Sequence, residues 1–335
     1  MSKVKIIAEI GVNHNGKIKL AKKLILKAKK CGADAVKFQN YITEEFVLPE
    51  TQKTNYQIKN LGNKITHFEM LKKYEFNFKQ FKDIISYCKK KKIEFISTPY
   101  ELKSLKFLTD LNIKTIKIAS ADLNDFFLHK EASKSKKNII ISTGMSNFSE
   151  IEKVLKIYKN KSKITLLHCT SNYPCSLKSI NLNVIKSLRK KFNCNIGYSD
   201  HSSNSETSVA AVALGCKVIE KHFTLNKNMK GPDHLASFNP KEFEQLVKSI
   251  RDVESMLGNS EKKMQAEEIN MKKISTKSIT IIKDKKTNSK IKLTDIKLMR
   301  PGLGLNGSYL EKVVGKRVKG NIKKYTQLKL SDIKI

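Results

Sequence analysis

The chain has 335 residues, of which 39% are hydrophobic, so it is long enough for a large domain plus a small one and can bury a sizeable core. Its formal net charge is +35, but only four of the 66 basic residues are arginines. Nucleic-acid sites favour arginine for bidentate and stacked contacts. We therefore interpret the excess as a solvated lysine surface that attracts anionic substrates, and we expect no nucleic-acid partner, with a basic nucleic-acid-binding protein as the alternative.

The sequence also argues against a secreted or membrane protein. No apolar run reaches membrane-spanning length, and Glu9 interrupts the short apolar stretch near the N-terminus. The six cysteines include no CxxC pair, which favours reduced and mostly buried thiols. We expect a cytoplasmic protein with no membrane partner.

Apolar, strand-like runs recur along the first three quarters of the chain. Eight are predicted, at residues 5–10, 35–39, 94–99, 115–120, 138–144, 164–170, 195–200 and 218–224. Segments with helical periodicity separate them, and the clearest lie at residues 20–31, 78–88, 149–158, 183–189, 206–214 and 240–257. Gly32 is placed to end the first helix and Pro240 to begin the last.

Nearly continuous apolar strands that alternate with helices predict a parallel sheet. Eight such units within residues 1–258 favour a closed (β/α)8 TIM barrel. An open doubly wound sheet is the alternative, but no GxGxxG motif follows the first strand. The barrel prediction makes the C-terminal ends of the strands the expected active site.

The character of the chain changes after residue 258. Residues 259–274 are polar and predict a linker, and residues 275–335 contain short β-like runs with Gly and Pro turns. A β-rich domain of this size is marginally stable alone, so we expect it to dock on another surface.

Each predicted strand becomes polar at its C-terminal end, where a barrel carries its active site. These strand-end residues are Glu9, Lys37, Gln39, Thr98, Lys117, Ser120, Ser142, Thr170, Ser199, Asp200, His201 and His222.

His201 and His222 end adjacent strands, so they could share a divalent metal, with Asp200 and Asp233 as further ligands or partners of the ligands. They could equally be two hydrogen-bonded histidines. In the last strand, Glu220 and His222 share one face and Lys221 takes the other, because strand residues alternate.

Lys37 and Lys117 lie in apolar strands, where a cationic side chain needs an anionic partner. They could bind a phosphate or carboxylate together with the nearby serines, or one could form a Schiff base. Glu9 could act as a general acid or base, or form a salt bridge with one of these lysines.

The order of motifs resembles the sialic acid synthase family. The matching stretches are AEIGVNHNG, KFQ, STPY, KIASAD, STGM, LLHCTSNYP, GYSDHS, IEKHFT, GPDH and, near the C-terminus, MRPGLGL. The last of these resembles the antifreeze-like (SAF) domain of that family. The resemblance covers nearly the whole chain.

This resemblance implies an enzyme that joins phosphoenolpyruvate to the open-chain aldehyde of an N-acylated hexosamine and releases phosphate. It implies that His201 and His222 bind a divalent metal, typically Mn²⁺ although Mg²⁺ or Co²⁺ is possible. It further implies that Glu9 transfers protons and activates water. The residues expected to hold the carboxylate and phosphate are Lys37, Thr98, Lys117, Ser120, Ser142, Ser171 and Ser199. Those expected around the sugar are Gln39, Asp122, Tyr173 and Asp233.

Arg300 matches the arginine that, in this family, reaches from the antifreeze-like domain of one subunit into the barrel of the other. The resemblance therefore implies a domain-swapped homodimer. The chain departs from the family at Asp122, where many members have Glu, and this departure bears on the choice of sugar. We expect N-acetylneuraminate synthase acting on N-acetylmannosamine, with legionaminate synthase as the alternative.

Overall fold

The computed structural model describes residues 3–334 and divides into two compact units, the first ending at Gly258 and the second beginning at Asn259. In the first unit eight parallel strands pair in chain order, and the last pairs with the first to close a barrel. The strands are β1 (Lys5–Gly11), β2 (Ala35–Asn40), β3 (Glu94–Pro99), β4 (Thr115–Ile118), β5 (Asn138–Ser142), β6 (Ile164–Cys169), β7 (Asn195–Asp200) and β8 (Val218–His222). The TIM-barrel prediction is confirmed, and an open sheet is excluded.

The helices of the first unit follow the strands. They are α1 (Ile18–Lys30), α2 (Asn55–Leu61), α3 (His67–Tyr74), α4 (Phe78–Lys90), α5 (Leu102–Asp110), α6 (Phe126–Lys134), α7 (Phe148–Leu155), α8 (Asn183–Lys191), α9 (Glu206–Ala213) and α10 (Pro240–Met256). Four of these, α2, α3, α5 and α6, have no counterpart among the clear helical patterns of the sequence.

Helix ends follow the local chemistry that the sequence predicted. Gly32 has φ +89°, a left-handed conformation that glycine adopts without a Cβ penalty, and it follows the C-cap of α1. Asn239 caps α10 by accepting from the backbone N–H groups of Lys241 and Glu242, and Pro240 occupies the first turn.

Alternation along the strands separates two apolar clusters. Outward residues such as Ile6 and Phe38 pack beneath the helices in the main core. Inward residues form a separate layer that closes the bottom of the barrel. This apolar floor consists of Ile7, Ala35, Ile96, Ile140, Leu167 and Val218. It leaves the opposite, C-terminal rim as the open end.

The second unit is small and β-rich. It contains α11 (Glu268–Ser275), β9 (Ser278–Ile281), β10 (Ile296–Met299) and α12 (Leu310–Val313), and β9 pairs antiparallel with β10. Its core consists of Ile279, Ile281, Ile291, Ile296, Val313, Val318, Ile322, Leu328 and Ile333. Part of the predicted linker is therefore helical, because α11 lies within it. The antifreeze-like assignment stays a prediction.

Within residues 3–334, no helix has both the length and the apolar character needed to cross a membrane. All six cysteines are free thiols, and only Cys194 among them is partly exposed.

Gly197 tests how tightly the barrel floor is packed. A Cβ at this position would lie 2.5 Å from the Val218 carbonyl oxygen and 2.6 Å from Cδ2 of Leu167. Because these atoms belong to the closed barrel wall, we expect Gly197→Ala to lower the free energy of unfolding by about 1–3 kcal/mol. Urea unfolding would measure the change.

Gly320→Ala is the matched control, since an added Cβ there meets no atom of the described structure within 4 Å. Equal stability of the two variants would contradict the tight floor.

Candidate active site

A layer of four buried charges lies directly above the apolar floor. Glu9, Lys37, Lys117 and Glu220 point inward from β1, β2, β4 and β8, and each is almost completely buried. Lys37 Nζ lies 3.0 Å from Glu9 Oε2 and 3.6 Å from Glu220 Oε1, and Lys117 Nζ lies 3.8 Å from the same Glu220 oxygen. The salt bridge between Glu9 and a lysine, which the sequence left open, is therefore present.

The four groups shift one another's pKa values. Burial raises the pKa of Glu9 to about 7, although the Lys37 cation opposes the shift. Burial also raises the pKa of Glu220, but Lys117 and Lys37 outweigh it, so the net shift is downward. The pKa of Lys117 is lowered, chiefly by burial. Glu9 is thus the group whose proton is most easily exchanged near neutral pH.

Hydroxyl groups accompany the charges around the barrel. Lys37 Nζ donates to Thr98 Oγ1 at 3.4 Å, and Ser199 Oγ donates to Glu220 Oε1 at 3.1 Å. Gln39 Nε2 donates to Glu9 Oε1 at 3.2 Å from the next layer up. All three predicted residues therefore lie against the charged layer.

The predicted serines converge on Gly144. Its backbone N–H donates to Ser120 Oγ at 3.0 Å, and a Cβ on Gly144 would lie 2.4 Å from Ser171 Oγ. The buried hydroxyl of Ser142 has no hydrogen-bond partner within residues 3–334. An unsatisfied buried hydroxyl among other serine hydroxyls suits an anion such as phosphate.

His201 and His222 approach each other at the rim, with ring centroids 5.5 Å apart. The Nδ1 of His201 lies 2.9 Å from the Thr170 carbonyl oxygen, which fixes a proton on Nδ1 and leaves the lone pair of Nε2 free. The buried Nδ1 of His222 has no hydrogen-bond partner in the described part of the chain. Burial lowers the pKa of His222 well below its ordinary value, so this imidazole is neutral.

Two imidazole nitrogens, Nε2 of His201 and Nδ1 of His222, fit a divalent cation. Residues 3–334 contain no cluster of three or more His, Cys, Asp or Glu side chains arranged for a metal. A metal held by His201 and His222 would therefore need water or substrate to complete its coordination.

Of the two roles left open for Asp200, metal ligand or partner of the ligands, the ligand role does not fit its position. Asp200 precedes His201, so strand alternation directs it outward, where it forms a salt bridge with Lys221 at 3.0 Å. Asp233, in contrast, does lie at the rim, with Oδ2 4.0 Å from His222 Nδ1. Burial raises the pKa of Asp233 to about 6.

Two of the predicted sugar residues, Tyr173 and Asp233, meet at the rim through Tyr56. The Tyr173 ring lies 4.1 Å from that of His201 and 5.0 Å from that of Tyr56. Tyr56, on α2, donates its hydroxyl to Asp233 Oδ1 at 3.3 Å. Asp122 follows β4, and burial raises its pKa to about 7. The contact of α2 with Asp233 brings the β2–α4 insertion to the rim.

Arg300 lies in the second unit immediately after β10, and its side chain is exposed. Its predicted role in a partner's barrel stays a prediction.

Sequence reasoning missed or left open three residues of the site. Cys169 ends β6 pointing inward, with Sγ 3.8 Å from His201 Nδ1, and alternation from Leu167 could have placed it there. Glu220 was predicted to lie on the same face of its strand as His222. Its pairing with Lys37 and Lys117 could not be predicted, because it depends on closure of the barrel. Tyr56 carried no local signal, because tertiary packing alone brings α2 to Asp233.

Comparison with known proteins adds independent information. Residues 24–262 match the model of the NeuB family. The chain is 41% identical to the N,N'-diacetyllegionaminic acid synthase of Campylobacter jejuni, over 96% of this chain and 98% of that protein. It is 39% identical to the N-acetylneuraminate-9-phosphate synthase of Mus musculus, over 77% of this chain and 72% of that protein. The structure of the N-acetylneuraminic acid synthetase from Leptospira borgpetersenii superimposes with a TM-score of 0.71 and 35% identity, covering 81% of this chain and 90% of that one.

The raised pKa of Glu9 makes stability depend on pH. The folded value is about 7 against an ordinary value of 4.5, so the folded state binds more protons than the unfolded state between these values. This contribution to stability is fully present below the lower value and is lost as pH rises through the upper one. We expect Glu9→Gln, which cannot ionise, to gain up to about 3 kcal/mol of stability relative to wild type between about pH 5 and about pH 8.

Urea unfolding at both pH values would measure this gain. Gln80→Glu is the control, because it adds a carboxylate at a partly exposed position of α4, far along the chain from Glu9, and should show no such pH dependence. A constant difference between Glu9→Gln and wild type would contradict the raised pKa.

Proposed function

This chain belongs to the NeuB family, and from that premise we propose that it is an N,N'-diacetyllegionaminate synthase. It would join phosphoenolpyruvate to the open-chain aldehyde of 2,4-diacetamido-2,4,6-trideoxymannose and release phosphate. The observation that carries this choice is the 41% identity to the Campylobacter jejuni enzyme over 96% of the chain. N-acetylneuraminate synthase, the first expectation from sequence, has weaker support, because the mouse relative matches only 77% of the chain.

The charged layer and the serines would hold phosphoenolpyruvate. Lys37 and Lys117 supply the positive charge that its carboxylate and phosphate need. The hydroxyls of Ser120 and Ser171 lie against Gly144, where the absence of a side chain lets them approach, and with the Ser142 hydroxyl they would bind the phosphate. Thr98 and Ser199 contact the charged pairs and would orient the carboxylate.

Glu9 would move the protons of the reaction. Attack by C3 of phosphoenolpyruvate on the aldehyde leaves positive charge at C2, and water adds there before phosphate departs. A carboxyl group with a pKa near 7 can accept the proton of that water at neutral pH. Gln39 holds one of its oxygens in place.

His201 and His222 would bind the divalent cation, most simply Mn²⁺, although Mg²⁺ or Co²⁺ would suit the same ligands. When bound, the cation supplies Lewis acidity that polarises the aldehyde of the sugar. The sugar would be contacted by the side chains of Tyr173, Asp233, Gln39 and Asp122. Asp122 is one methylene shorter than the Glu of many members, which is consistent with a bulkier substituent on this substrate.

We further propose that the functional form is a domain-swapped homodimer. The exposed large apolar side chains of the barrel unit lie mostly in segments that follow the C-terminal ends of strands. These rim residues are Leu48, Ile65, Leu102, Phe126, Phe127, Met145, Phe148, Leu177 and Leu235. An apolar rim favours a protein cover. The second unit exposes Leu298, Met299 and Leu303 beside Arg300, so the second unit of a partner is a suitable cover.

Two observations each favour a different alternative, one a different sugar and the other a different reaction class. The similarity to the Leptospira borgpetersenii synthetase favours N-acetylmannosamine as a second candidate sugar. The lowered pKa of Lys117 is what a Schiff-base aldolase would require, so that reaction class also needs an experiment.

Purified protein with Mn²⁺ and phosphoenolpyruvate should release phosphate faster with the diacetamido sugar than with N-acetylmannosamine. EDTA should abolish both reactions, because the aldehyde would no longer be polarised. A phosphate-release assay measures each rate, and His222→Ala is the matched protein control. Preference for N-acetylmannosamine would move the assignment to N-acetylneuraminate synthase. EDTA-resistant turnover with borohydride trapping on Lys117 would replace it with an aldolase.

Mixing two inactive variants tests the swapped dimer. Arg300→Ala lacks the arginine and His222→Ala lacks a rim histidine, so a mixed dimer holds one complete site if Arg300 acts on the partner's barrel. After unfolding and refolding together, activity should return to about a quarter of wild type, since about half the dimers are mixed. A mixture of His222→Ala with Glu9→Gln is the control and should stay inactive, because both changes lie in the barrel. If wild type regained activity under the same refolding conditions and the first mixture did not, Arg300 would act within its own chain.

A further inference from the structure

Asp200 and Lys221 form a fully buried salt bridge outside the barrel wall. Their Cα atoms are register partners between β7 and β8, the Lys221 Nζ to Asp200 Oδ2 distance is 3.0 Å, and both side chains are 0% exposed. The cation of Lys221 also lies 4.2 Å from the centre of the Phe238 ring. Such a pair is costly to desolvate, and similar pairs in other proteins can be replaced by apolar residues without loss of stability. Stability alone therefore does not account for it.

The position of the pair relates it to the two histidines. Asp200 immediately precedes His201, and Lys221 immediately precedes His222. Because strand residues alternate, the salt bridge joins the strand ends on the outside while the two imidazoles approach each other on the inside. The same two backbone segments therefore set both the distance between Asp200 and Lys221 and the distance between the two imidazoles.

Hydrogen bonds extend this restraint to the backbone just after His201. Asp200 Oδ1 accepts from the Ser202 N–H at 2.8 Å, and Lys221 Nζ donates to the Ser202 carbonyl oxygen at 2.7 Å. Thr207 and Ser208, at the start of α9, donate their hydroxyls to Asp200 Oδ2 at 2.7 Å and 2.6 Å. The loop that carries His201 is thus held from strand, helix and neighbouring strand together.

We propose that Asp200 and Lys221 are positioning residues that set the separation and orientation of His201 and His222 for a divalent cation. The inference rests on the proposed function insofar as these histidines bind the cation. It assigns to the two residues an effect on metal affinity that they exert without touching the metal. Residues that orient metal ligands commonly change affinity by about tenfold to a hundredfold.

The test is Mn²⁺ binding to the full chain in the absence of substrates, measured by calorimetry and by the electron paramagnetic resonance spectrum of the bound ion. Asp200→Asn/Lys221→Met keeps the approximate volume of both side chains and removes both charges. We expect the Mn²⁺ dissociation constant to rise about tenfold to a hundredfold. We expect phosphoenolpyruvate affinity, for which the two lysines of β2 and β4 supply the positive charge, to stay within about twofold of wild type.

Asp34→Asn/Arg251→Met is the matched control. It removes the 2.6 Å salt bridge between Arg251 and Asp34. Asp34 immediately precedes β2, at the end of the barrel opposite the rim. This control should bind Mn²⁺ as wild type does. A general loss of stability would weaken Mn²⁺ binding in both double variants and would overturn the positioning role.

A gentler variant covers the case in which the first does not fold. Thr207→Val/Ser208→Ala keeps both charges and removes two hydrogen bonds that orient Asp200. It should raise the Mn²⁺ dissociation constant by several-fold and alter the resonance spectrum. Wild-type Mn²⁺ affinity in either pair variant would overturn the inference while leaving the proposed function intact. If wild type and His222→Ala bound Mn²⁺ equally, the metal site itself would be wrong, and the inference with it.

Discussion

Two lysines and two carboxylates share one buried layer of the barrel, and they have to neutralise one another there. Glu9, Lys37, Lys117 and Glu220 lie within salt-bridge distance as a chain, so the layer has little net charge without substrate. Isolated charges at this depth would be very unfavourable. Closure of the barrel provides the solution, since β1, β2, β4 and β8 bring the four groups within salt-bridge distance of one another. The same closure places the serines and histidines just above them.

This arrangement balances stability against chemistry. Lys37 pairs with both carboxylates, yet burial still raises the pKa of Glu9 to about 7. The fold therefore tolerates a carboxyl group that is poorly solvated, in a position where proton exchange near neutral pH is useful. Glu220, which has two lysine neighbours and the Ser199 hydroxyl, stays ionised and organises the cations.

Sequence alone predicted the barrel and most of this layer, because both follow from periodicity. Alternation in IEKHFT placed Glu220 and His222 on one face and Lys221 on the other, as the structure shows. The same rule, had it been applied one residue earlier in β7, would have turned Asp200 outward. Tyr56 and helices α2 and α3 could not be predicted in this way, since their placement depends on contacts such as Tyr56 with Asp233, far apart in sequence. The sugar likewise depends on side chains from several loops, and no local pattern specifies it.

The apolar floor closes one end of the barrel interior and leaves the C-terminal rim as the opening. Below the charged layer the barrel is filled by Ile7, Ala35, Ile96 and their neighbours. In the described part of the chain, ligands can therefore enter and leave this barrel only through the rim. A ligand held by Lys37 and Lys117 would lie deep in the barrel. One held by Tyr173 and Asp233 would lie nearer the rim, beside α2. Two ligands stacked in a chamber with one exit cannot exchange freely. We therefore expect the deeper ligand to enter before the shallower one, which would give the catalytic cycle a compulsory order of binding.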